Sequence, residues 1–523
     1  MADQPKEKDK STAADKDRPF WDCGPGTPAL PGGPCLTPPH PDWSGNEIWA
    51  WEKICVGEAA DFNQRYGVRL DPRSPQGWYE NRKLSSRFLE TILLHEPWRS
   101  AVPRNGVVIR GAWLPELVDL SLAKVAVVLG LISCRFEAAA EFIKFITPVS
   151  FSLRGSYIGN HLALSGAEIG GDLFMQAGRF GSACLIGTKV SGQLGLDDAS
   201  FGLAAMHDSK IGQVLAMKNA EFSGDLALER TEIGGALIME GGRFGKTSLL
   251  GAKIGGQLTM SDAQFSEDLT LQGVIAGDAL FMRGEKTVFQ KSVKVIFSEV
   301  GTILDISGAE FHSLLDLTGT KVDSILCGQG DKPPQLKLDR FTYNHLGGLG
   351  WEAQKGERMT DWDAAWFVKW LARQKEFSPQ PYEQCAKVLR ESGQPGKAND
   401  VLYACKEEER ERAKGWRRVA LEILKWTIGY GYYYRRLLNW GIPLLYLGAV
   451  VASSTDQKWA HSMWRCFGYS LDMLLPVIRL AEDHYQTVLS GWQRYYFFAH
   501  QIAGYALATV ALVGLTGLTE RKH

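Results

Sequence analysis

The middle of the chain repeats one pattern of apolar and polar positions every 21 or 22 residues. Each unit begins with Ile or Val and ends with Phe, as in the segments IGGDLFMQAGRF and VSGQLGLDDASF. The terminal aromatic residues of five consecutive units are Phe180, Phe201, Phe222, Phe244 and Phe265. Because a fixed period stacks equivalent positions of successive repeats, we expect these five side chains to form one buried column in the core of a solenoid.

A period of this length is too short for repeats that are built from pairs of helices. Each unit divides instead into short segments with a central apolar residue, and small residues stand where the backbone must turn tightly. Weaker copies of the pattern extend it over residues 107–326. The sequence therefore predicts a mainly β fold in this range, with about ten coils of solenoid.

The repeat resembles the pentapeptide-repeat family. This resemblance implies a right-handed quadrilateral β-solenoid, in which short strands form the four sides of each coil. The A(D/N)LxX signature of the family is degenerate here, and the extra residue in each coil implies regular bulges.

The segments on either side of the repeat have different compositions. Residues 1–45 are charged and then rich in Pro and Gly, which predicts a disordered tail. Residues 46–106 carry scattered aromatic residues and one helical pattern, and we interpret them as an N-terminal cap. The segment CGQGDKPPQ interrupts the period after residue 326, so residues 327–360 are predicted to be a loop.

Residues 361–436 have the pattern of a helical linker, in which a Gly-containing turn joins two helices into a hairpin. The end of this linker is basic and rich in Trp and Tyr, which is typical of a juxtamembrane segment. We expect lipid headgroups to be contacted by Arg410, Lys414, Arg417, Arg418, Arg435 and Arg436. The sequence IGYGY at 428–432 is interpreted as an interfacial turn with tyrosine anchors.

Two uncharged stretches near the C-terminus, at 437–454 and 495–518, are long enough to cross a bilayer. They predict a two-span α-helical membrane domain over residues 437–523. Basic residues flank both spans. The basic end of the linker precedes the first span, and Arg521 and Lys522 follow the second. The positive-inside rule then places both termini and the solenoid in the cytoplasm.

An amphipathic segment, residues 463–480, lies between the two spans and is too short and too charged to cross a membrane. Its phrase WRCFGYSLDMLLPVI resembles the pore helix of two-helix pore-loop channels, which makes it a candidate re-entrant segment. The candidate pore-lining residues are Ser470, Asp472 and Arg479, because polar side chains at membrane depth usually serve a pathway. No TVGYG filter follows, so potassium selectivity is not expected.

A Trp-rich leader, a 21-residue solenoid and this C-terminal module together resemble a bacterial group of membrane-associated pentapeptide-repeat proteins. The resemblance implies the bacterial inner membrane as the location. Two functions are open. The first is ion transport by a homo-oligomeric, channel-like domain whose cytoplasmic solenoid senses a protein partner. The alternative is a membrane-tethered structural scaffold for protein–protein interaction that has no transport activity.

Composition and motifs argue against several other kinds of function. The 58 basic and 59 acidic residues almost balance, which argues against nucleic acid as a partner. The nine cysteines are dispersed without C-x-x-C spacing, so we expect reduced thiols and no bound metal. Phosphate-binding, nucleophile-elbow and zinc-protease motifs do not occur in the sequence. We therefore expect neither a cofactor nor enzymatic activity.

Overall fold

The computed structural model describes residues 37–329, 334–348, 358–433, 435–455, 457–475, 480–481, 484 and 489–519. The predicted β-solenoid is confirmed: parallel strands form about 11 turns, and a helical region follows them. The chain divides into two compact units, one ending at Ile238 and the other beginning at Met239. Each unit contains part of the solenoid and is described by itself.

The first unit contains short strands that pair in parallel with the equivalent strands one coil away. Its strands are Ala60–Asp61, Val107–Arg110, Trp113–Leu114, Val118–Asp119, Leu129–Ile132, Arg135–Phe136, Ala140–Glu141, Ile146–Thr147, Phe151–Ser152, Tyr157–Ala163, Glu168–Ile169, Leu173–Phe174, Arg179–Cys184, Lys189–Val190, Leu194–Gly195, Ser200–Ala205, Lys210–Ile211, Leu215–Ala216, Glu221–Phe222, Leu226–Ala227, Glu232–Ile233 and Leu237–Ile238.

Identical residues face each other across these strand pairs. Leu173 pairs with Leu194, and Leu194 pairs with Leu215 in the next coil. Phe180, Phe201 and Phe222 are at most 2% exposed. The ring centroids of Phe180 and Phe201 lie 5.0 Å apart, and those of Phe201 and Phe222 lie 4.8 Å apart with nearly parallel planes. The repeat of the sequence is therefore a repeat of core contacts.

Two positions in each coil of this unit adopt a positive φ, which lets the backbone turn from one short strand to the next. The first column consists of Gly111, Ser133, Gly155, Ala177, Asp198 and Asn219. The second consists of Leu122, Lys144, Gly166, Gly187, Asp208 and Arg230. Glycine fills only part of each column, so the turn geometry is imposed by the coil and not by glycine alone.

Four helices precede or border the first coils. They are α1 (Gly45–Cys55), α2 (Phe62–Tyr66), α3 (Ser86–Leu94) and α4 (Trp98–Ala101), with a 3₁₀ turn at Glu80–Arg82. Glu47 closes a capping box with Ser44 and also accepts hydrogen bonds from the backbone and hydroxyl of Ser85, which joins the starts of α1 and α3. The strand Ala60–Asp61 pairs with Val107–Arg110, so these helices are attached to the first coil.

The second unit continues with parallel strands of the same kind. They are Arg243–Phe244, Thr247–Ser248, Lys253–Ile254, Leu258–Thr259, Gln264–Phe265, Leu269–Thr270, Ile275–Ala276, Leu280–Phe281, Val288–Phe289, Val293–Lys294, Glu299–Asp305, Glu310–Phe311, Leu314–Asp316, Lys321–Leu326, Gln335–Lys337 and His345–Leu346. Phe244 and Phe265 are buried and stack with ring centroids 5.0 Å apart. The last two strands lie inside residues 327–360, the range predicted as loop.

The helical region follows in the same unit. Its helices are α5 (Ala364–Leu371), α6 (Gln380–Glu391), α7 (Pro395–Arg412), α8 (Trp416–Ile428), α9 (Arg436–Ser453), α10 (Met463–Leu474) and α11 (Trp492–Thr519), with 3₁₀ turns at Met359–Asp361, Gly429–Gly431 and Lys458–His461. Helices α6 and α7 pack against each other as a hairpin. Backbone hydrogen bonds between Leu336 and Arg373 and between Leu336 and Lys375 join the last coils to the end of α5.

The cysteines differ from the sequence expectation at one position. The free thiols in the described part are Cys134, Cys184, Cys327, Cys385, Cys405 and Cys466, and all but Cys184 are buried. Cys55, in contrast, is disulfide-bonded. The expectation that all cysteines are reduced is therefore wrong at Cys55, because dispersed spacing in the sequence does not reveal which cysteines the fold brings together.

Candidate membrane-contact site

Helix α9 exposes most of its apolar side chains. It is 18 residues long with a mean hydropathy of 1.2, and only 22% of it is buried. Its exposed large apolar side chains are Leu438, Trp440, Ile442, Tyr446, Leu447 and Val450. Among the described helices, α9 is the one that is long and apolar enough to cross a membrane.

The second predicted span falls within α11, a helix of 28 residues. Several large side chains of this helix are also exposed, namely Trp492, Tyr495, Phe498, Ile502, Tyr505 and Leu512. The structure does not describe the burial of several residues in the second half of α11. The second span therefore stays a prediction.

Helix α10 packs against both α9 and α11 and buries one face between them. Ser470, on this face, is fully buried, and its hydroxyl donates a hydrogen bond to the Leu445 carbonyl at 2.9 Å. The Ser470 hydroxyl also lies 3.3 Å from Nε2 of the buried His500. A side chain at Gly448 would collide with Ser470 and His500, so glycine is required for this close approach of the three helices.

Asp472 is also completely buried and has partners within its own chain. Its carboxylate accepts hydrogen bonds from the backbone N–H groups of Leu480 at 2.9 Å and Ala481 at 3.3 Å, and it lies 2.9 Å from Nδ1 of His484. These contacts tie the end of α10 to the segment that follows. Of the three candidate pore-lining residues, Ser470 and Asp472 are thus engaged inside the helical region. Arg479 lies outside the described residues.

Helix α8 has an unusual distribution of apolar and charged side chains. Trp416, Val419, Ile423 and Trp426, which follow one another at intervals of three and four residues and share one face, are 53–82% exposed. Ile428 is buried and Leu421 and Leu424 are partly buried, and α8 packs against α7, α9 and α11. A surface helix of a water-soluble protein turns its apolar face to the core. In α8 a second apolar face is turned outward.

The inward side of α8 is held by charged contacts from α7. Glu407 lies at their centre: it accepts hydrogen bonds from Lys425 Nζ at 2.7 Å, Tyr430 Oη at 2.5 Å and Arg410 at 3.2 Å. Burial raises the pKa of Glu407, but these three donors outweigh burial and leave the pKa below its ordinary value. Burial together with the Glu407 contact raises the pKa of Tyr430.

The IGYGY segment belongs to this inner side. Tyr430 and Tyr432 are less than 10% exposed, and Tyr430 adopts a positive φ in the turn after α8. The interpretation of the segment as a turn is correct, but the interpretation of these two tyrosines as interfacial anchors is wrong. Their burial depends on Glu407 and the neighbouring helices, which a motif alone does not reveal.

The six basic residues expected to contact lipid fall into two groups. Arg410 pairs with Glu407 and Glu422, Arg417 pairs with Glu409, and Arg436 lies over the rings of Tyr403 and Tyr433. The side chains of Lys414, Arg418 and Arg435 are exposed and form no ion pair with any residue that the structure describes. Of the six, Lys414, Arg418 and Arg435 can bind a ligand without first breaking a contact to a residue that the structure describes.

Other candidate sites are weaker. A groove of about 610 Å³ lies on the solenoid of the second unit, lined by Glu299, Lys321 and Asp323 among others. Its charged groups are already paired: Lys321 with Glu299 at 3.0 Å, and Asp323 with Asn344 at 2.9 Å. Within the described residues there is no cluster of His, Cys, Asp and Glu that could hold a metal ion.

Comparison with known proteins returned no match: no family model, no curated protein and no solved structure matches the chain.

Proposed function

We propose that this protein is a membrane-anchored β-solenoid whose solenoid is a scaffold for a protein partner. The observation that carries the proposal is the surface of α9. A helix of a water-soluble core buries its apolar residues, whereas only 22% of the residues of α9 are buried. Exposed apolar area of this extent is unfavourable in water and favourable in a bilayer.

The solenoid is the natural scaffold in this proposal. Its coils repeat the same contacts, so they form a rigid surface on which charged side chains recur at fixed spacing. Examples are the ion pairs Glu168–Lys189 and Lys210–Glu232 in the first unit. Membership of the pentapeptide-repeat family, with a right-handed quadrilateral coil, is part of the proposal. The proposal also includes a second span in α11, the bacterial inner membrane as the location, and cytoplasmic termini.

Extraction of membranes at alkaline pH tests the anchor. Peripheral proteins are released by this treatment, whereas a protein with a spanning helix stays in the pellet. We expect the full chain to stay in the pellet and a variant with Ile442→Lys and Tyr446→Lys to be released to a greater extent, because a charge at the centre of a spanning helix costs about 2.5–3.5 kcal/mol. Release of the unmodified chain would overturn the proposal.

The matched control is a variant with Leu117→Lys and Leu203→Lys, two exposed apolar positions of the solenoid. It carries the same added charge and should stay in the pellet with the unmodified chain. Release of this control as well would mean that added charge, and not the loss of the anchor, caused the release.

A channel-like function is the second candidate, and the position of α10 favours it. A short helix held between two longer ones is the arrangement of pore-loop channels, and a re-entrant segment must be enclosed by protein because lipid cannot pair its backbone groups. Two long helices per chain cannot enclose such a segment, so a pore requires a homo-oligomer. Ion flux through reconstituted protein, measured together with its oligomeric state, tests this candidate. An oligomer that conducts ions would support it, and a monomer without flux would leave the scaffold function.

A further inference from the structure

We propose that α8 lies in the plane of the membrane surface and binds anionic phospholipid headgroups through Lys414, Arg418 and Arg435. This inference rests on the proposed membrane anchor and extends it by naming the lipid. The partner is an anionic lipid surface, and a second copy of this chain or another protein is an outcome of the test.

The first reason is the exposed apolar face of α8. Its outward face carries Trp416, Val419, Ile423 and Trp426, with the two Trp side chains 82% and 63% exposed. Its inward face is held by ion pairs, as between Lys425 and Glu407. An interfacial helix buries its apolar face at the boundary between headgroups and acyl chains, and Trp is preferred at that depth.

The second reason is continuity with the lipid-facing surface of α9. The Trp440 indole N–H, on α9, donates a hydrogen bond to the backbone carbonyl of Trp426 at 3.1 Å. Trp440 itself is 48% exposed, so an exposed side chain of α9 contacts the last turn of α8. If α9 enters the bilayer, the outward face of α8 is brought to its surface.

The third reason is charge. Lys414 precedes α8, Arg418 lies in its first turn and Arg435 immediately precedes α9, and all three are exposed. Acidic residues near α8 are engaged elsewhere: Glu409 by Lys406 and Arg417, and Glu422 by Arg410 and the Trp426 indole. Three available cations beside an apolar face complement an anionic membrane, for which each Lys or Arg adds attraction.

The test uses the full chain in lipid nanodiscs, with a fluorophore that is sensitive to polarity attached at Val419→Cys. Discs contain either phosphatidylcholine alone or phosphatidylcholine with phosphatidylglycerol. We expect the label to be protected from aqueous iodide in the anionic discs and to be exposed, or less protected, in the neutral discs. Combined Lys414→Gln, Arg418→Gln and Arg435→Gln should abolish this dependence on anionic lipid.

A matched control removes three exposed Lys side chains from other parts of the same unit: Lys246→Gln, Lys286→Gln and Lys375→Gln. It makes the same change in net charge and should keep the dependence on anionic lipid. A second label at Tyr446→Cys, on the exposed face of α9, reports the anchor alone.

The outcomes separate the two proposals. Iodide access to the label at position 446 in every disc would overturn the anchor itself. Protection at 446 with full iodide access at 419 in both discs would overturn the inference about α8. Protection at 419 that is equal in both discs and unchanged by the triple variant would also overturn it, because the face would then be covered without any contribution from anionic headgroups.

Discussion

At the residue scale, the solenoid rests on two kinds of position that recur once in each coil. Large apolar side chains such as Phe201 stack on their equivalents in the neighbouring coils, and residues such as Gly187 turn the backbone through a positive φ. The Phe period was visible in the sequence because every coil repeats the same contact. The turn columns were harder to predict, because Leu122 and Lys144 occupy positions that favour glycine.

Truncating one ring of the column should destabilise the first unit strongly. Phe201→Ala removes a buried ring that stacks on Phe180 and Phe222, and it should lower the free energy of unfolding by about 3–5 kcal/mol. Leu203→Ala is the control on the same strand, because Leu203 is 46% exposed and should change stability by no more than about 0.5 kcal/mol. Urea denaturation followed by circular dichroism gives both values; equal effects would contradict a stacked core.

Two substitutions in the turn columns should change the stability of the protein in opposite directions. Leu122 has a positive φ and is 70% exposed, so Leu122→Gly relieves backbone strain, loses little packing and should stabilise the protein by about 0.5–1 kcal/mol. Gly187 also has a positive φ, and no atom lies within 4 Å of an added Cβ, so Gly187→Ala should destabilise by about 1 kcal/mol. Two changes of the same sign in urea denaturation would show that φ does not control these positions.

At the element scale, the contact between α7 and α8 decides which side of α8 faces outward. The sequence WRRVALEILKWTI predicts an amphipathic helix but not its orientation, because the acidic partners Glu407 and Glu409 lie on another helix. Asp472 illustrates the same limit. Its ionisable side chain suggested a pore, whereas its partners at Leu480, Ala481 and His484 depend on how the chain returns after α10.

The α7–α8 contact should depend on pH through Glu407. Because the folded pKa of Glu407 is depressed, its contribution is complete above the ordinary value of 4.5 and is lost as the pH falls through the lower folded value. Glu407→Gln leaves Lys425, Arg410 and Tyr430 without their carboxylate and should destabilise this contact by roughly 1–3 kcal/mol. Its pH dependence in the acid range should also be flatter than that of the unmodified chain.

Hydrogen exchange of the α8 backbone amides, corrected for the intrinsic exchange rate at each pH, measures this contact directly. Glu411→Gln is the control, since Glu411 is 64% exposed and its ion pair among the described residues is with Arg410, at 3.7 Å. If both variants lose the same protection in α8, Glu407 is not the residue that holds the helix.

At the scale of the whole molecule, the order of a solenoid followed by a helical region was predictable. A long sequence period and long apolar stretches can be recognised without knowing the tertiary contacts. The extent of the solenoid was not: after the interruption at CGQGDKPPQ, the strands Gln335–Lys337 and His345–Leu346 carry too few residues to show a period. The disulfide at Cys55 was also invisible in the spacing of the cysteines. Disulfides persist mainly in oxidising compartments, so the orientation of the chain needs a direct measurement.

Orientation is tested by cysteine labelling in intact cells. The proposed orientation has the solenoid in the cytoplasm. Leu203→Cys should then react only after the membrane is permeabilised, whereas Ser453→Cys at the end of α9 should react from outside. The described free cysteines other than Cys184 are buried, which keeps their background labelling low. Labelling of position 203 from outside would reverse the orientation and would agree with the disulfide.

The central claim is that α9 lies within a bilayer, and a label at Tyr446→Cys in full-length protein in lipid nanodiscs tests it most directly. Tyr446 is 58% exposed at the protein surface and lies in the second half of the helix. We expect a quencher attached to the lipid acyl chains to reach this label and aqueous iodide not to reach it. Iodide quenching as efficient as that of the same label at Leu203→Cys on the solenoid would contradict it.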